Sequence, residues 1–222
     1  MKEVFFVVSK DNEWSASLVD NLSKKFECRY YNDVSYIEDI PRLNPSWIFF
    51  FHWSDIVSSQ VHANNRCVVI HTGNLPRNRG GSPLQNQIME GIVDSRVNAI
   101  QMVEEVDAGD VYCSLPITLQ GNLTDIWMAI SQRAYDLICE CVESSPTPKK
   151  QEGEKQVYRR RRDNRIEFHE TSNLRDIYDQ IRMLDSKEYP TAYLVVNDFK
   201  LEFSRSKFEG EEIISDVRIT KR

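Results

Sequence analysis

Trp47-Ile48-Phe49-Phe50-Phe51 sets five large apolar side chains in a row. A one-sided helix or a half-exposed strand would leave some of them in water, so the run reads as a strand buried on both faces. Such a strand needs a layer above and below it, which is the arrangement of sheets whose strands alternate with helices. Glu3 to Ser9 (EVFFVVS) and Cys67 to Ile70 (CVVI) have the same character. Between the first two runs, Trp14, Leu18, Leu22 and Phe26 recur at a spacing of four, the stripe of an amphipathic helix. Glu27 to Tyr31 reads as a further strand, and Ile56 to His62 as a short helix. The pattern is βαβ, so the expected class is α/β with a mostly parallel sheet and right-handed crossovers.

Downstream, Arg96 to Val103 and Asp110 to Ile117 read as strands. Asn122 to Val142 is the longest helix candidate, with Ile126, Ile130, Leu137 and Cys141 on one face and cap-like Asn122 and Thr124 at its start. Ser144 to Lys155 (SSPTPKKQEGEK) is polar and carries two prolines and a glycine, so it reads as a linker. The expected organisation is a main domain over 1–150 and a small α+β or β-rich appendage over 151–222. The appendage would hold one helix, Leu174 to Leu184, and the alternating runs Tyr193 to Val196 and Lys200 to Phe203.

Hydrophobic residues make up 41% of the chain, enough for a packed core. No apolar run approaches the roughly 20 residues that span a bilayer. Met1-Lys2-Glu3-Val4 leads straight into a strand-like run without a signal-peptide pattern, so the expected location is the cytoplasm and no membrane partner is expected. Five cysteines occur without a CxxC pair or Cys/His ligand spacing, which fits reduced thiols and no bound metal. A net charge of −6 weighs against a dedicated nucleic-acid binder. Arg159-Arg160-Arg161-Arg162 is the exception, read as a solvated edge or as a phosphate-contacting patch.

In open parallel sheets, ligands bind beyond the carboxyl ends of the strands. His71 follows CVVI, His52-Trp53 follow WIFFF, and Ser9-Lys10-Asp11-Asn12 follow VFFVV. Ser82-Pro83-Leu84-Gln85 is a helix-start signal, with Ser82 placed to accept from the N–H of Gln85. The stretch Glu104 to Tyr112 puts carboxylates in a glycine turn between two strand-like runs. A carboxylate beside a histidine suits general-base chemistry. Pattern alone does not select Asp107 over Asp110.

His71-x-x-Asn74-Leu75-Pro76-x-x-Arg79-Gly80-Gly81-Ser82-Pro83-Leu84-Gln85, followed by Val106-Asp107-Ala108-Gly109-Asp110, resembles the formyltransferase signature. Ile181-Arg182-Met183-Leu184-Asp185 with Tyr189-Pro190 resembles that family's downstream motif. The wording Arg-Gly-Gly-Ser-Pro-Leu-Gln-Asn, with Phe51-His52-Trp53-Ser54 upstream, is most similar to sugar N-formyltransferases of the pseudaminic-acid-pathway and viosamine type.

The resemblance implies a Rossmann-like sheet and formyl transfer from N10-formyltetrahydrofolate to the 4-amino group of a UDP- or dTDP-linked 4-amino-4,6-dideoxy sugar, for surface glycans. It implies His71 as base and Asp107 as the group that orients it. The family's amide donor falls at position 69, which here is Val69, and Asn74 is the nearest substitute. The folate co-substrate is expected at Phe51, His52, Trp53, Asp107 and Gly109. The sugar nucleotide is expected at Ser9, Lys10, Arg77, Gly80, Gly81 and Asn86. The small domain is an expected homodimer surface, and nucleic acid is not an expected partner. The alternatives are an enzyme acting on an aminoacyl-tRNA or a purine precursor, and a non-catalytic module on the same fold.

Overall fold

The structure is a computed structural model and describes residues 4–169 and 173–222. The first strands follow the buried runs: β1 (Phe5–Val8), β2 (Cys28–Tyr31), β3 (Ile48–Phe51) and β4 (Cys67–Thr72). They alternate with α1 (Glu13–Ser23), α2 (Tyr36–Leu43) and α3 (Ser59–Asn64). After β5 (Arg79–Gly80) and α4 (Pro83–Met89) come β6 (Asp94–Gln101), β7 (Val111–Thr118) and α5 (Leu123–Ser144). The chain ends with β8 (Val157–Tyr158), α6 (Leu174–Arg182), β9 (Ala192–Val196), β10 (Phe199–Glu209) and β11 (Glu212–Lys221).

Contacts divide the chain into two units. One holds residues up to 80, 95–117 and 128–157; the other holds 81–94, 118–127 and 158 onward.

The first unit is built on a six-stranded sheet in the order β2-β1-β3-β4-β6-β7. The β1–β2, β1–β3 and β3–β4 pairs are parallel, and β6 runs antiparallel to β4. This is the expected α/β, Rossmann-like class. Every residue of β1 and β3 is buried, as a doubly covered strand requires. On one face Phe6, Val8, Ile48 and Phe50 join Tyr36 and Val61 in a continuous cluster. On the other, Phe5 packs edge-on against Phe26 and Phe49 at 5.6 Å each. Trp14, Leu18 and Leu22 of α1 are buried at the expected spacing, and Asn12 caps the helix by accepting from Ser15 N–H.

Local differences from the expectations have physical causes. No element is expected over residues 33–46, yet Tyr36–Leu43 form α2, which ends on Asn44 in the left-handed region. The short helix falls at Ser59–Asn64 rather than Ile56–His62, and Ile56 is 99% exposed. Ser58 starts that helix by accepting from Gln60 N–H.

In the second unit, β9, β10 and β11 form an antiparallel sheet in the order β11-β10-β9, with a register shift between Ser204 and Lys207. Helix α6 opens on a capping box between Asn173 and Asp176. At its end the buried Arg182 donates to Asp179 and to the carbonyls of Leu119 and Gly121. A buried guanidinium needs this full set of acceptors to offset its lost hydration.

Candidate active site

Strand β4 carries His71 one residue before its end, beside Asn98 of β6 in the antiparallel register. The Asn98 amide donates to the carbonyls of His71 (3.3 Å) and Gly73 (2.7 Å), and its oxygen accepts from Ser114 Oγ (2.6 Å). The backbone that holds the histidine is thereby tied across the sheet. The chain then folds back tightly. A Cβ on Gly73 would lie 2.8 Å from Asn78 Cβ and 3.3 Å from His71 Nε2, so only glycine allows this approach. Asn78, buried with φ +63, accepts from Asn74 N–H through its side chain.

His71 is 6% exposed and sits between two acceptors. Nε2 lies 2.8 Å from the carbonyl of Asn78. A carbonyl only accepts, so Nε2 is the donor there. Nδ1 lies 3.4 Å from Asp107 Oδ2. The same carboxylate oxygen accepts from Gly80 N–H at 2.9 Å. The geometry therefore separates the two candidate carboxylates: Asp107 faces the ring, whereas the backbone carbonyl of Asp110 takes Gln101 N–H and closes the turn. Asp107 has φ +54, a left-handed conformation that Asp tolerates better than most residues. Gly109 passes so close to β6 that a Cβ would fall 1.7 Å from Gln101 O.

The segment read as a linker is packed on this turn. Lys149 bridges Val111 through backbone bonds in both directions. Gln151 Nε2 donates to the carbonyls of Asp107 (2.9 Å) and Gly109 (2.7 Å), while its Oε1 accepts from Arg79 Nε (3.0 Å) and Nη2 (2.7 Å). Arg79 also meets Glu105, which Lys155 reaches from the same segment. Composition marked these residues as a linker; their hydrogen bonds make them a strap. Asn78, Asn98 and Gln151 carry no sequence signal, because polar loop residues have no periodicity to read.

A second polar group lies after β1 and β3. His52 has φ +48, accepts at Nδ1 from Asn12 Nδ2 (3.1 Å) and packs edge-on to Trp14. Burial, helped by the Lys10 charge, pushes its pKa down to about 4. Lys10 donates to Ser54 Oγ at 2.6 Å. Trp53 keeps its indole Nε1 buried with no acceptor among the described residues.

Other expected residues take different places. Ser9 is fully buried with its hydroxyl on Ser15, and Phe51 is a fully buried core residue. Arg77 is exposed and pairs with Glu154. Asn86 donates to the carbonyls of Gly81 and Arg159, and Gly81 N–H donates to Tyr158 O, so both serve the backbone. Ser82 does not cap α4: it is left-handed, and its hydroxyl accepts from Arg161 N–H. These three bonds fix the backbone of the arginine run. Arg159, Arg160, Arg161 and Arg162 are all exposed and form no ion pair among the described residues.

Known proteins resemble this chain. A structure titled methionyl-tRNA formyltransferase from Clostridium thermocellum is 33% identical, matches 100% of both chains and superposes with a TM-score of 0.92. The chain belongs to the formyltransferase family. Residues 162–220 match the profile described as methionyl-tRNA formyltransferase, C-terminal domain. The Bacillus subtilis methionyl-tRNA formyltransferase is 26% identical over 182 residues, covering 77% of this chain and 56% of the relative. The chain thus spans about half to three fifths of the length of curated relatives it matches. Aquifex aeolicus HypX, solved in complex with tetrahydrofolic acid, shares the fold at 19% identity, with a TM-score of 0.79 over 95% of this chain and 40% of that one.

No described helix is long and apolar enough to cross a membrane. Among the described residues no group of three His, Cys, Asp or Glu is placed to hold a metal ion. All five cysteines are free thiols.

Proposed function

We propose that this chain transfers the formyl group of N10-formyltetrahydrofolate to a primary amine, with His71 and Asp107 at the reacting centre. The observation that carries the reading is the buried His71–Asp107 pair, its carboxylate pinned by Gly80 N–H, in a chain of this family. The co-substrate supplies the formyl carbon that the amine attacks. His71 takes the proton the amine gives up as the new C–N bond forms, and that proton would pass to N10 of the folate as its bond to the formyl carbon breaks and tetrahydrofolate leaves. Because Nε2 is engaged as a donor to Asn78, the lone pair of the neutral ring is on Nδ1, the side of Asp107. Asp107 then stabilises the imidazolium, while the Asn78 carbonyl orients the ring. Asn74 is the proposed amide donor to the oxygen that gains charge, in place of the residue the family carries at Val69. The orphaned indole N–H of Trp53 suits a pterin acceptor atom, which supports a folate site after β3.

For the acceptor, the relatives' names favour an aminoacyl-tRNA over the amino sugar of the resemblance. The exposed, unpaired arginines at 159–162 support the same choice, since phosphate contacts are the main source of RNA affinity. An amino-sugar nucleotide is the second reading, favoured by the net charge of −6. The five free thiols suit a reducing, cytoplasmic setting.

The test is incubation with N10-formyltetrahydrofolate and, separately, methionyl-tRNA and a panel of UDP- and dTDP-linked 4-amino sugars, with mass detection of the formylated product. Formylation of methionyl-tRNA, with a KM that rises steeply with salt, is expected. Formylation of a sugar alone would move the assignment to the second reading, and no formylation of any acceptor would sink the enzymatic one.

A further inference from the structure

We infer that Gln151 is a positioning residue for the His71–Asp107 pair, acting through the turn that carries the carboxylate. The inference rests on the proposed formyl transfer at those two residues, and goes beyond it by assigning a role to a residue outside the family signature.

All four hydrogen-bonding positions of the Gln151 amide are used. Its two N–H donors go to the carbonyls on either side of Ala108, and its oxygen receives two N–H groups from Arg79. A side-chain amide has two donors and one oxygen with two lone pairs, so this set saturates it and fixes which end points where. The two residues it joins each bear on the reacting pair. Arg79 precedes Gly80, whose N–H holds Asp107 Oδ2, and Asp107 is the residue whose carbonyl Gln151 holds. The amide therefore braces the donor of the carboxylate's hydrogen bond and the backbone of the carboxylate itself. The turn needs such a brace. Asp107 is left-handed at φ +54, and a non-glycine residue keeps that conformation only when its surroundings over-determine it. The Nδ1–Oδ2 separation of 3.4 Å is long for a charge-assisted hydrogen bond, so a small shift of the turn changes that contact most.

Glutamate at this position separates the two halves of the brace. Gln151→Glu keeps an acceptor for Arg79 but loses both donors and sets a carboxylate against two carbonyls. Gln151→Ala loses both halves. Glu154→Ala is the control, because it removes an exposed ion pair of the same strap without touching the turn.

The experiment measures formyl transfer by the full chain and, independently of activity, the ring-nitrogen NMR signals of His71 across pH in 15N-histidine-labelled protein. Both Gln151 variants are expected to lower kcat by about tenfold to a hundredfold with KM within about twofold. The same variants are expected to shift the His71 ring signals, with Glu154→Ala matching the wild type in both kcat and ring signals. Wild-type kcat and unmoved His71 signals in Gln151→Glu would overturn the inference, and so would an equal effect from Glu154→Ala. If Gln151→Ala fails to fold, the near-isosteric Gln151→Glu carries the test. If the wild type forms no product with any acceptor, the functional reading falls while the NMR comparison still decides whether Gln151 sets the geometry of the pair.

Discussion

Two histidines end adjacent parallel strands of the same sheet, and their surroundings are opposite. His52, after β3, receives a hydrogen bond from Asn12 and feels the positive charge of Lys10. Burial, the larger cause, and the Lys10 charge disfavour a proton on the ring, so its pKa falls to about 4. His71, on β4, faces a carbonyl and a carboxylate, which both only accept. Strand-end position therefore brings a ring to the ligand edge of the sheet but does not give it a role. The donors and acceptors contributed by other segments do that.

The largest expected effect tests the pair itself. His71→Asn and Asp107→Asn should each cut turnover by about 10² to 10⁴-fold, the usual contribution of general acid–base groups. Folate binding, measured by fluorescence titration, should persist in His71→Asn. Asp107→Asn keeps a side chain that tolerates the left-handed backbone and an oxygen for Gly80 N–H, so its loss would report on charge. Turnover within tenfold of wild type in either variant would remove that residue from the chemistry.

Next is the turn that presents the carboxylate. Gly109→Ala drives a methyl group into the backbone of Gln101, and the strand and turn must part to accept it. The expected destabilisation is about 3 kcal/mol, read by urea unfolding. A change below about 1 kcal/mol would mean that the turn is not held tightly against β6.

The His52 side of the comparison makes a pH prediction. Its pKa is about 4 in the folded chain against 6.5 for an unperturbed ring. Between these values the unfolded chain binds more protons than the folded one. Stability is thus fully present above about pH 6.5 and is lost as pH falls toward about 4, by at most about 3 kcal/mol. His52→Asn keeps a residue that accepts the left-handed backbone and should flatten this part of the stability profile. An unchanged slope would show that His52 is not buried neutral.

The smallest effect concerns the residue that serves both helix and ring. Asn12→Ala removes the α1 cap and the donor to His52, and should cost about 1 kcal/mol in thermal or urea unfolding. It should also raise the His52 pKa, visible as a shift of the ring's NMR titration.

Much of the scaffold was legible because it rests on side-chain periodicity. The runs EVFFVVS, WIFFF and CVVI read as strands buried on both faces; β1 and β3 form within the first two, and β4 starts with the third and continues to Thr72. Asn122 caps α5 as expected, accepting from Asp125 N–H at 2.9 Å. The expected cap at Ser82 is absent because that residue's hydroxyl is taken by Arg161 N–H, a bond no local pattern announces. The strap failed in the same way. Prolines, glycine and charges over 144–155 signal the lack of regular structure, and the segment has only the end of α5 at Ser144 and an isolated bridge at Lys149, but irregular backbone can still be hydrogen-bonded to a neighbour.

The sequence by itself determined an α/β sheet, a histidine at a strand end and a glycine-rich return after it, because burial and turn formation depend on neighbours along the chain. Only the tertiary structure decided that Asp107 rather than Asp110 faces His71, that Asn78 orients the ring, and that Gln151 braces the turn. The Asp107 and Gln151 contacts join residues far apart in sequence, and the Asn78 contact spans a turn of seven positions, each through single polar atoms. Which atoms meet depends on left-handed turns at Asn78 and Asp107, and on a glycine with no room for a Cβ.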